Sequence, residues 1–546
     1  MRRAGTAILI VTLLALSVPG TAAYSSEEKR DTPSPPGVSL HLAALQGDLE
    51  AVRQHIEAGS DLNEKDQFGS APLVIAATFD RPEVAKALIE AGADTEVRTL
   101  DGSTPLHVAS FFCRTAIVKA LLDAGSDKHS RNMAGSTPFD NVAPPFDDDI
   151  AIYDRLRDGL EPLGLKLDYD RIKRTRPRIA EMLRPGREEL EAVEYTPLAG
   201  SDWKVSTPEE QGLDPMLVAE LYLDAAEMDT LFGLLVVKNG YLIAERYFNG
   251  GAIDKPARLQ SVTKSYTSAL TGIALGQGDL SSTDQKMLDF FPEVAGQVTD
   301  PRKRDITIQH LLQMRAGYPW EETDPALWEG LLSGRYSPLI EEFPLVADPG
   351  TQFNYSNLTS NWLGIIVARA CGMNLRPFAQ DHLFSPIDAD MAEWGEDADG
   401  HNNGCADLHG TARDVAKFGL LYLNDGEYDG KQVVPADWVR ESLQSYSDSV
   451  DSGAPRLGRI GRYFRDGGYG YQWWTSRVGD RHVDYAAGHG GQLIVLLDDL
   501  DMVIVATSEP FYLQHDAEAW KHEQANFNLV GKFIRSLPVG EKAKPE

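Results

Sequence analysis

The stretch Ser261-Val262-Thr263-Lys264-Ser265-Tyr266-Thr267-Ser268-Ala269-Leu270 decides how the larger part of this chain is read. Val262, Tyr266, Ala269, Leu270 and then Ile273 recur at helical spacing, so the segment predicts a helix with one apolar face. Ser261 opens that helix. Lys264 follows one turn later on the same side, close enough to take the hydroxyl proton. The start of a helix would also favour negative charge developing there. A capping serine followed by a solvated lysine fits the same letters. The S-x-x-K spacing alone decides little, since it recurs at Ser26–Lys29 in a polar linker and at Ser201–Lys204 in a Trp-containing entry segment.

Leu234-Leu235-Val236-Val237-Lys238-Asn239-Gly240-Tyr241-Leu242-Ile243 reads as a β-hairpin whose Asn-Gly pair supplies a type I′ turn. Strands return at Gln492–Leu497 and Met502–Thr507, and a helix from about Asp516 to Ser536 closes the chain. Strands at both ends with helices inserted between them predict one α+β domain over residues 199–546.

The N-terminal part has a different texture. Gly69, Gly102 and Gly135 are 33 residues apart, as are Pro72, Pro105 and Pro138. Ala43, Ala76 and Ala109 keep the same step, and so do Gly59, Gly92 and Gly125. Asp101-Gly102-Ser103-Thr104-Pro105-Leu106-His107-Val108-Ala109 closely resembles the ankyrin pattern, in which a turn feeds a pair of helices. Glycine tolerates the positive φ that ends each second helix, and Thr-Pro starts each first one with a cap and a proline in the first turn. We assign residues 38–145 to an all-α ankyrin solenoid, whose fourth copy dissolves into Ala143-Pro144-Pro145. Two further helices at 148–185 would cap the stack, since a terminal repeat cannot leave its apolar face exposed. Residues 146–198 are therefore read as helical cap and linker.

The ends and the composition narrow the function. Arg2 and Arg3, an apolar run from Ala7 to Val18, and Thr21-Ala22-Ala23 resemble a secretory signal peptide at 1–23, followed by a Pro-rich linker at 24–37. The run is too short to span a bilayer. No membrane anchor is expected after cleavage, and the expected location is the bacterial periplasm or the extracellular space. Among 546 residues, 52 Lys+Arg stand against 82 Asp+Glu, a net charge of −30, which makes nucleic acid a poor partner. The three cysteines, Cys113, Cys371 and Cys405, exclude a disulfide scaffold, although a Cys371–Cys405 bridge fits the count.

Two more elements carry chemistry. Tyr355 and Asn357 form a Y-x-N on a loop before a helix, a spacing repeated at Tyr247–Asn249 and Tyr422–Asn424, where core packing is expected. Gly488-His489-Gly490-Gly491-Gln492 holds the chain's single H-x-G and leads into a strand, where glycines would let a substrate approach an edge closely. There is no H-E-x-x-H, no paired C-x-x-C, no Walker loop and no G-x-S-x-G elbow.

In this order and spacing the three elements resemble the class C β-lactamase and penicillin-binding-protein-like serine hydrolase family, and within it the esterase and 6-aminohexanoate-oligomer-hydrolase-like branch. Ile306–Met314, Thr411–Gly419 and Tyr469–Trp474 look like family segments too. The resemblance implies a serine β-lactamase-like domain, an antiparallel sheet flanked by helices plus a helical insertion, with no metal and no cofactor. Ser261 would be the acylated nucleophile, Lys264 its base, and Tyr355 the proton shuttle to the leaving group. Asn357 would orient Lys264 or the substrate. His489, Gly490 and Gly491 would line the substrate site, and the backbone N–H groups of Ser261 and Gln492 would form the oxyanion hole.

His489 stands where many relatives carry a lysine that holds a substrate carboxylate. A neutral imidazole holds an anion less well. The weight therefore shifts to esters or neutral amides, with β-lactams and D-Ala-D-Ala peptides as the alternative. A reading from another class is an ankyrin binding protein with a degenerate hydrolase domain. The repeats themselves are expected either to bind a protein partner or to dock on the hydrolase domain. Asn354 and Asn357 both open N-glycosylation sequons on the expected catalytic loop, which favours bacterial export over a eukaryotic secretory route.

Overall fold

A computed structural model of the chain describes residues 35–144, 146–200, 202–448, 450, 460–512 and 520–538. The expected signal peptide at 1–23 and the linker residues 24–34 lie outside these. The chain divides into two compact units between Gly186 and Arg187.

The first unit is built from helix pairs: α1 (Leu40–Gln46) with α2 (Leu49–Glu57), α3 (Pro72–Thr78) with α4 (Pro82–Glu90), and α5 (Pro105–Phe111) with α6 (Thr115–Asp123). The sequence period returns as a period of hydrogen bonds. Asp66 N–H donates to Ser70 O, Thr99 N–H to Ser103 O and Asn132 N–H to Ser136 O, each at 3.0 Å. Gly59, Gly92 and Gly125 all take positive φ, between 71° and 87°, after the second helices. Among its described residues the fourth copy makes no helix. Its backbone is served instead by Arg176, whose guanidinium donates to the carbonyls of Asn141, Val142 and Pro144. Arg176 also pairs with buried Asp149 at 2.7 Å. It belongs to α8 (Tyr169–Leu183), which with α7 (Phe146–Leu160) closes the stack. Tyr153, Leu156, Ile172, Ile179 and Leu183 from these two helices join the core of the repeats.

The cap is therefore part of the repeat unit, while residues 187–198, expected as linker, belong to the second unit. There α9 (Arg187–Glu191) is followed by Val193 and Tyr195, which pack against the sheet, and the Glu245 N–H donates to Tyr195 O at 2.8 Å. Next come α10 (Pro215–Ala226) and the hairpin β1 (Leu231–Lys238) and β2 (Tyr241–Tyr247). Asn239 and Gly240, at φ +51° and +75°, make the left-handed turn that Asn-Gly predicts.

The middle of the unit is helical, with α11 (Thr263–Gln277), α12 (Asn357–Cys371) and α13 (Ala412–Leu423) as its main elements. Strands β3 (Ser447–Asp448), β4 (Phe464–Tyr469), β5 (Trp474–Val478), β6 (Arg481–Gly488), β7 (Gln492–Leu497) and β8 (Met502–Ser508) follow, then α14 (Trp520–Ser536). They form one antiparallel sheet in the order β2-β1-β8-β7-β6-β5-β4-β3. Leu234, Val236, Val495 and Ile504 point to one face, against α10 and α14. Leu235, Val237, Ile494, Val503 and Val505 point to the other, against Phe418 and Leu421 of α13. Burial on both faces explains why these strands read as continuous apolar runs rather than alternations. Gly419 lets α13 sit close, since a Cβ there would lie 2.6 Å from Val503 Cγ1.

Candidate active site

Ser261 lies on a 3-10 turn, Gln260–Val262, that runs directly into α11. Gln260 ahead of it has φ +50°, a conformation that non-glycine residues seldom adopt. The helix is not one-sided, as its sequence suggests. Every residue from Thr263 to Ala274 is buried. Two of its buried hydroxyls find carbonyls outside the helix: Ser265 Oγ donates to Gln472 O and Thr267 Oγ1 to Gly404 O, both at 2.8 Å.

Burial also encloses Lys264, which is 1% exposed. Its Nζ stands 2.8 Å from Ser261 Oγ, 2.9 Å from Asn357 Oδ1 and 3.0 Å from the Cys405 carbonyl oxygen. That carbonyl is fixed in turn, since the Cys405 N–H donates to Asn361 Oδ1 on α12 at 3.0 Å. Nζ lies 5.0 Å from the centroid of the Tyr355 ring. The structure thus brings Ser261, Lys264, Tyr355 and Asn357 together from a turn, a helix, a loop and a helix start.

Tyr355 is 3% exposed and stacks on Trp474, ring centroids 5.6 Å apart, with Trp320 edge-on at 6.1 Å. The loop behind it is held by Glu321, a carboxylate with no exposed surface. Glu321 accepts from the Ser356 hydroxyl, from the Asn357 N–H at 3.1 Å and from the Leu358 N–H at 3.3 Å. Its carboxylate therefore caps the first turn of α12, where backbone donors lack helical partners. Burial raises the Glu321 carboxyl above the ordinary carboxylate range, against the opposing pull of these hydrogen bonds. Glu322 accepts from Asn357 Nδ2 at 3.2 Å. Sequence reasoning missed both glutamates and the Cys405 carbonyl. Both amide atoms of Asn357 are engaged, so its glycosylation sequon sits on a residue already in use.

The third motif departs most from expectation. Gly488 ends β6, which runs between β5 and β7 and is not an edge. The glycines make room for the protein itself. A Cβ on Gly488 would lie 2.3 Å from Leu259 O, beside the Ser261 turn. One on Gly490 would meet Pro510 Cα at 2.4 Å, and one on Gly491 would meet Asn526 Nδ2 at 2.3 Å. Gly490 and Gly491 also take φ of +83° and +89°. Gln492 pairs with Gly488 across the hairpin, and its side-chain amide clamps Ser508 from both sides, at 2.7 and 3.0 Å. His489 Nδ1 lies 3.2 Å from Glu523 Oε2, which also accepts the Gly490 N–H at 3.2 Å.

The Cys371–Cys405 bridge is not formed, and all three thiols are free. Burial pushes the Cys405 thiol up to about 11, so it contributes a carbonyl to the site rather than a nucleophile. Of the other Y-x-N copies, Tyr422 is core, while the Tyr247 hydroxyl donates to buried Glu245. Among the described residues no group of His, Cys, Asp and Glu is arranged to hold a metal ion, and no helix is long and apolar enough to cross a membrane.

The family model for beta-lactamases matches residues 232–527, and that for ankyrin repeats (3 copies) matches residues 40–132. The 6-aminohexanoate-dimer hydrolase of Paenarthrobacter ureafaciens is 28% identical over 312 residues, covering 54% of this chain and 76% of that protein. Monacolin J acid methylbutanoyltransferase of Aspergillus terreus is 30% identical over 155 residues, 25% of this chain and 37% of its own length. A penicillin-binding protein homologue of Pyrococcus abyssi aligns in structure with a TM-score of 0.44 at 16% identity, covering 57% of this chain and 76% of that one. The family match spans more than half of the 546 residues and includes Ser261, Lys264, Tyr355, Asn357 and the turn at His489. The chain belongs to the beta-lactamase family, with ankyrin repeats preceding the family domain.

Proposed function

We propose that the second unit hydrolyses an ester or amide bond through an acyl-enzyme on Ser261. The observation that carries this reading is the set of three oxygens around Lys264 Nζ. Asn357 Oδ1 and the Cys405 carbonyl can only accept. An uncharged Lys264 amine that donates to both directs its lone pair at the Ser261 hydroxyl, 2.8 Å away. Attack of Oγ on the substrate carbonyl then passes the serine proton to Nζ. Tyr355, whose ring lies against Lys264, carries a proton to the leaving group and helps activate the water that releases the acyl group. The Ser261 and Gln492 N–H groups receive the oxyanion.

The substrate we infer lacks a carboxylate beside the scissile bond. At the third motif the imidazole of His489 is matched by the carboxylate of Glu523, so the pair offers an anion no net positive charge. Half-buried Trp320, Phe353 and Trp474 beside Tyr355 supply apolar surface for a neutral group. The repeats are proposed to bind a protein partner, and the unit to work outside the cytoplasm. A panel of p-nitrophenyl esters, D-amino-acid amides, nitrocefin and short linear amides tests the reading. Turnover of neutral esters or amides that disappears in Ser261→Ala supports it, whereas preferential turnover of nitrocefin or D-Ala-D-Ala peptides returns the site to the β-lactamase or peptidase alternative.

A further inference from the structure

Asn357 is gripped on three sides. Its backbone N–H donates to Glu321 Oε2 at 3.1 Å, its Nδ2 donates to Glu322 Oε1 at 3.2 Å, and its Oδ1 faces Lys264 Nζ at 2.9 Å. The two glutamates are consecutive on one short turn, Glu321–Thr323. Glu321 fixes where the residue stands, and the remaining freedom is the direction of its amide. An amide can turn over at almost no steric cost, because its oxygen and nitrogen have nearly the same size. A carboxylate accepts, so Glu322 draws Nδ2 towards itself and leaves Oδ1 for Lys264. The reversed amide would set Oδ1 against a carboxylate and an N–H donor against the lysine, losing both contacts.

The geometry points to Glu322 as a positioning residue for Lys264, acting through the Asn357 amide. It rests on the reading of Ser261 as nucleophile and Lys264 as base. Glu322 is exposed and does not support the core, so substitution there leaves the fold in place. The consequence is kinetic. With Oδ1 towards Nζ, the amine's second N–H is committed and its lone pair is aimed at Ser261. Without that contact the base is free to rotate, and fewer encounters lead to attack.

Two substitutions separate an acceptor from a charge. Glu322→Gln and Glu322→Met remove the same charge and have similar size, but only glutamine keeps an oxygen that can accept from Asn357 Nδ2. In the full chain, with a p-nitrophenyl ester as substrate, Glu322→Gln is expected to stay within about threefold of wild type. Glu322→Met should lose about tenfold or more in kcat with KM and Tm nearly unchanged. The rate of Ser261 labelling by a fluorophosphonate should fall in step. A Met variant equal to wild type, or a Gln variant that falls as far as Met, overturns the inference. Ser261→Ala in the same assays distinguishes the two levels. If it is inactive while Glu322→Met is unimpaired, the positioning role alone is wrong. If it still turns over substrate, the catalytic reading beneath it is wrong.

Discussion

Lys264 Nζ lies 5.0 Å from the centroid of the Tyr355 ring, and the same ring is stacked on Trp474, centroids 5.6 Å apart. Ring and hydroxyl therefore have separable jobs. The face of the ring packs against the lysine and the indole, and in the proposed mechanism the phenol oxygen moves protons.

Tyr355→Phe is expected to keep the packing and remove the proton carrier. Turnover should fall on the order of 100-fold, the scale of a lost general acid–base group, with Tm nearly unchanged. Its pH–rate profile should also change shape. Steady-state kinetics across pH checks this, and an unchanged rate and profile would take Tyr355 out of the mechanism.

His489→Lys alone should shift substrate preference only slightly, because the new ammonium would pair with Glu523, which is 6% exposed at its side chain. Adding Glu523→Gln frees that cation while keeping an acceptor for the Gly490 N–H. The double variant should favour carboxylate-bearing over matched neutral substrates by about tenfold in kcat/KM relative to wild type, about 1.4 kcal/mol. Paired substrates differing only in that carboxylate provide the measurement. No shift in the double variant would place anion recognition elsewhere.

The repeat unit should lose stability in acid. His107 Nδ1 meets the Thr104 N–H and its Nε2 reaches Ser136 O at 2.9 Å, one repeat on. Burial lowers its pKa from the ordinary 6.5 to about 4. The folded state therefore binds fewer protons than the unfolded state between these values. Its contribution is complete above pH 6.5 and is lost as the pH falls towards 4, roughly 3 kcal/mol in all. Thermal unfolding of wild type and His107→Gln over pH 4–7 should show a smaller acid loss in the variant. Parallel curves would contradict the assignment.

The second unit should need residues 187–198. Leu198 N–H donates to Glu245 Oε2 at 2.7 Å, and Arg413 donates to Leu198 O at 2.8 Å and to Glu245 Oε2 at 2.6 Å. Both charged side chains are at most 4% exposed. A chain beginning at Arg187 keeps these partners, whereas one beginning at Asp202 leaves them unsatisfied at about 1–3 kcal/mol per lost bond. Denaturant unfolding of the two should differ by several kcal/mol. Equal stabilities would show that this segment is only a linker.

What was legible in the sequence was local. A repeat of 33 residues rewrites the same turn and helix start each time, and Asn239-Gly240 states its own turn. Ser261 and Lys264 were legible because one helical turn brings them together. Glu321 and Glu322 were not, since they reach Asn357 across 35 residues or more of chain. The Cys405 carbonyl was hidden because a backbone atom leaves no mark on composition. The glycines at 488, 490 and 491 were recognised as close-approach positions, but the approaching atoms are Leu259, Pro510 and Asn526, not a substrate. Hydroxyl-rich α11 read as one-sided because sequence does not show the carbonyls that accept from its buried Ser265 and Thr267.

In the proposed mechanism Ser261 Oγ is the atom acylated, with Lys264 as its base. The most direct measurement treats the full chain with a fluorophosphonate and locates the added mass by peptide mass spectrometry. A single adduct is expected on the peptide carrying Ser261. No adduct is expected in Ser261→Ala, with much slower labelling in Lys264→Ala and ester turnover lost by on the order of 1,000-fold or more in both variants. An adduct on another residue, or a Ser261→Ala chain that retains more than a small fraction of wild-type turnover, would contradict it.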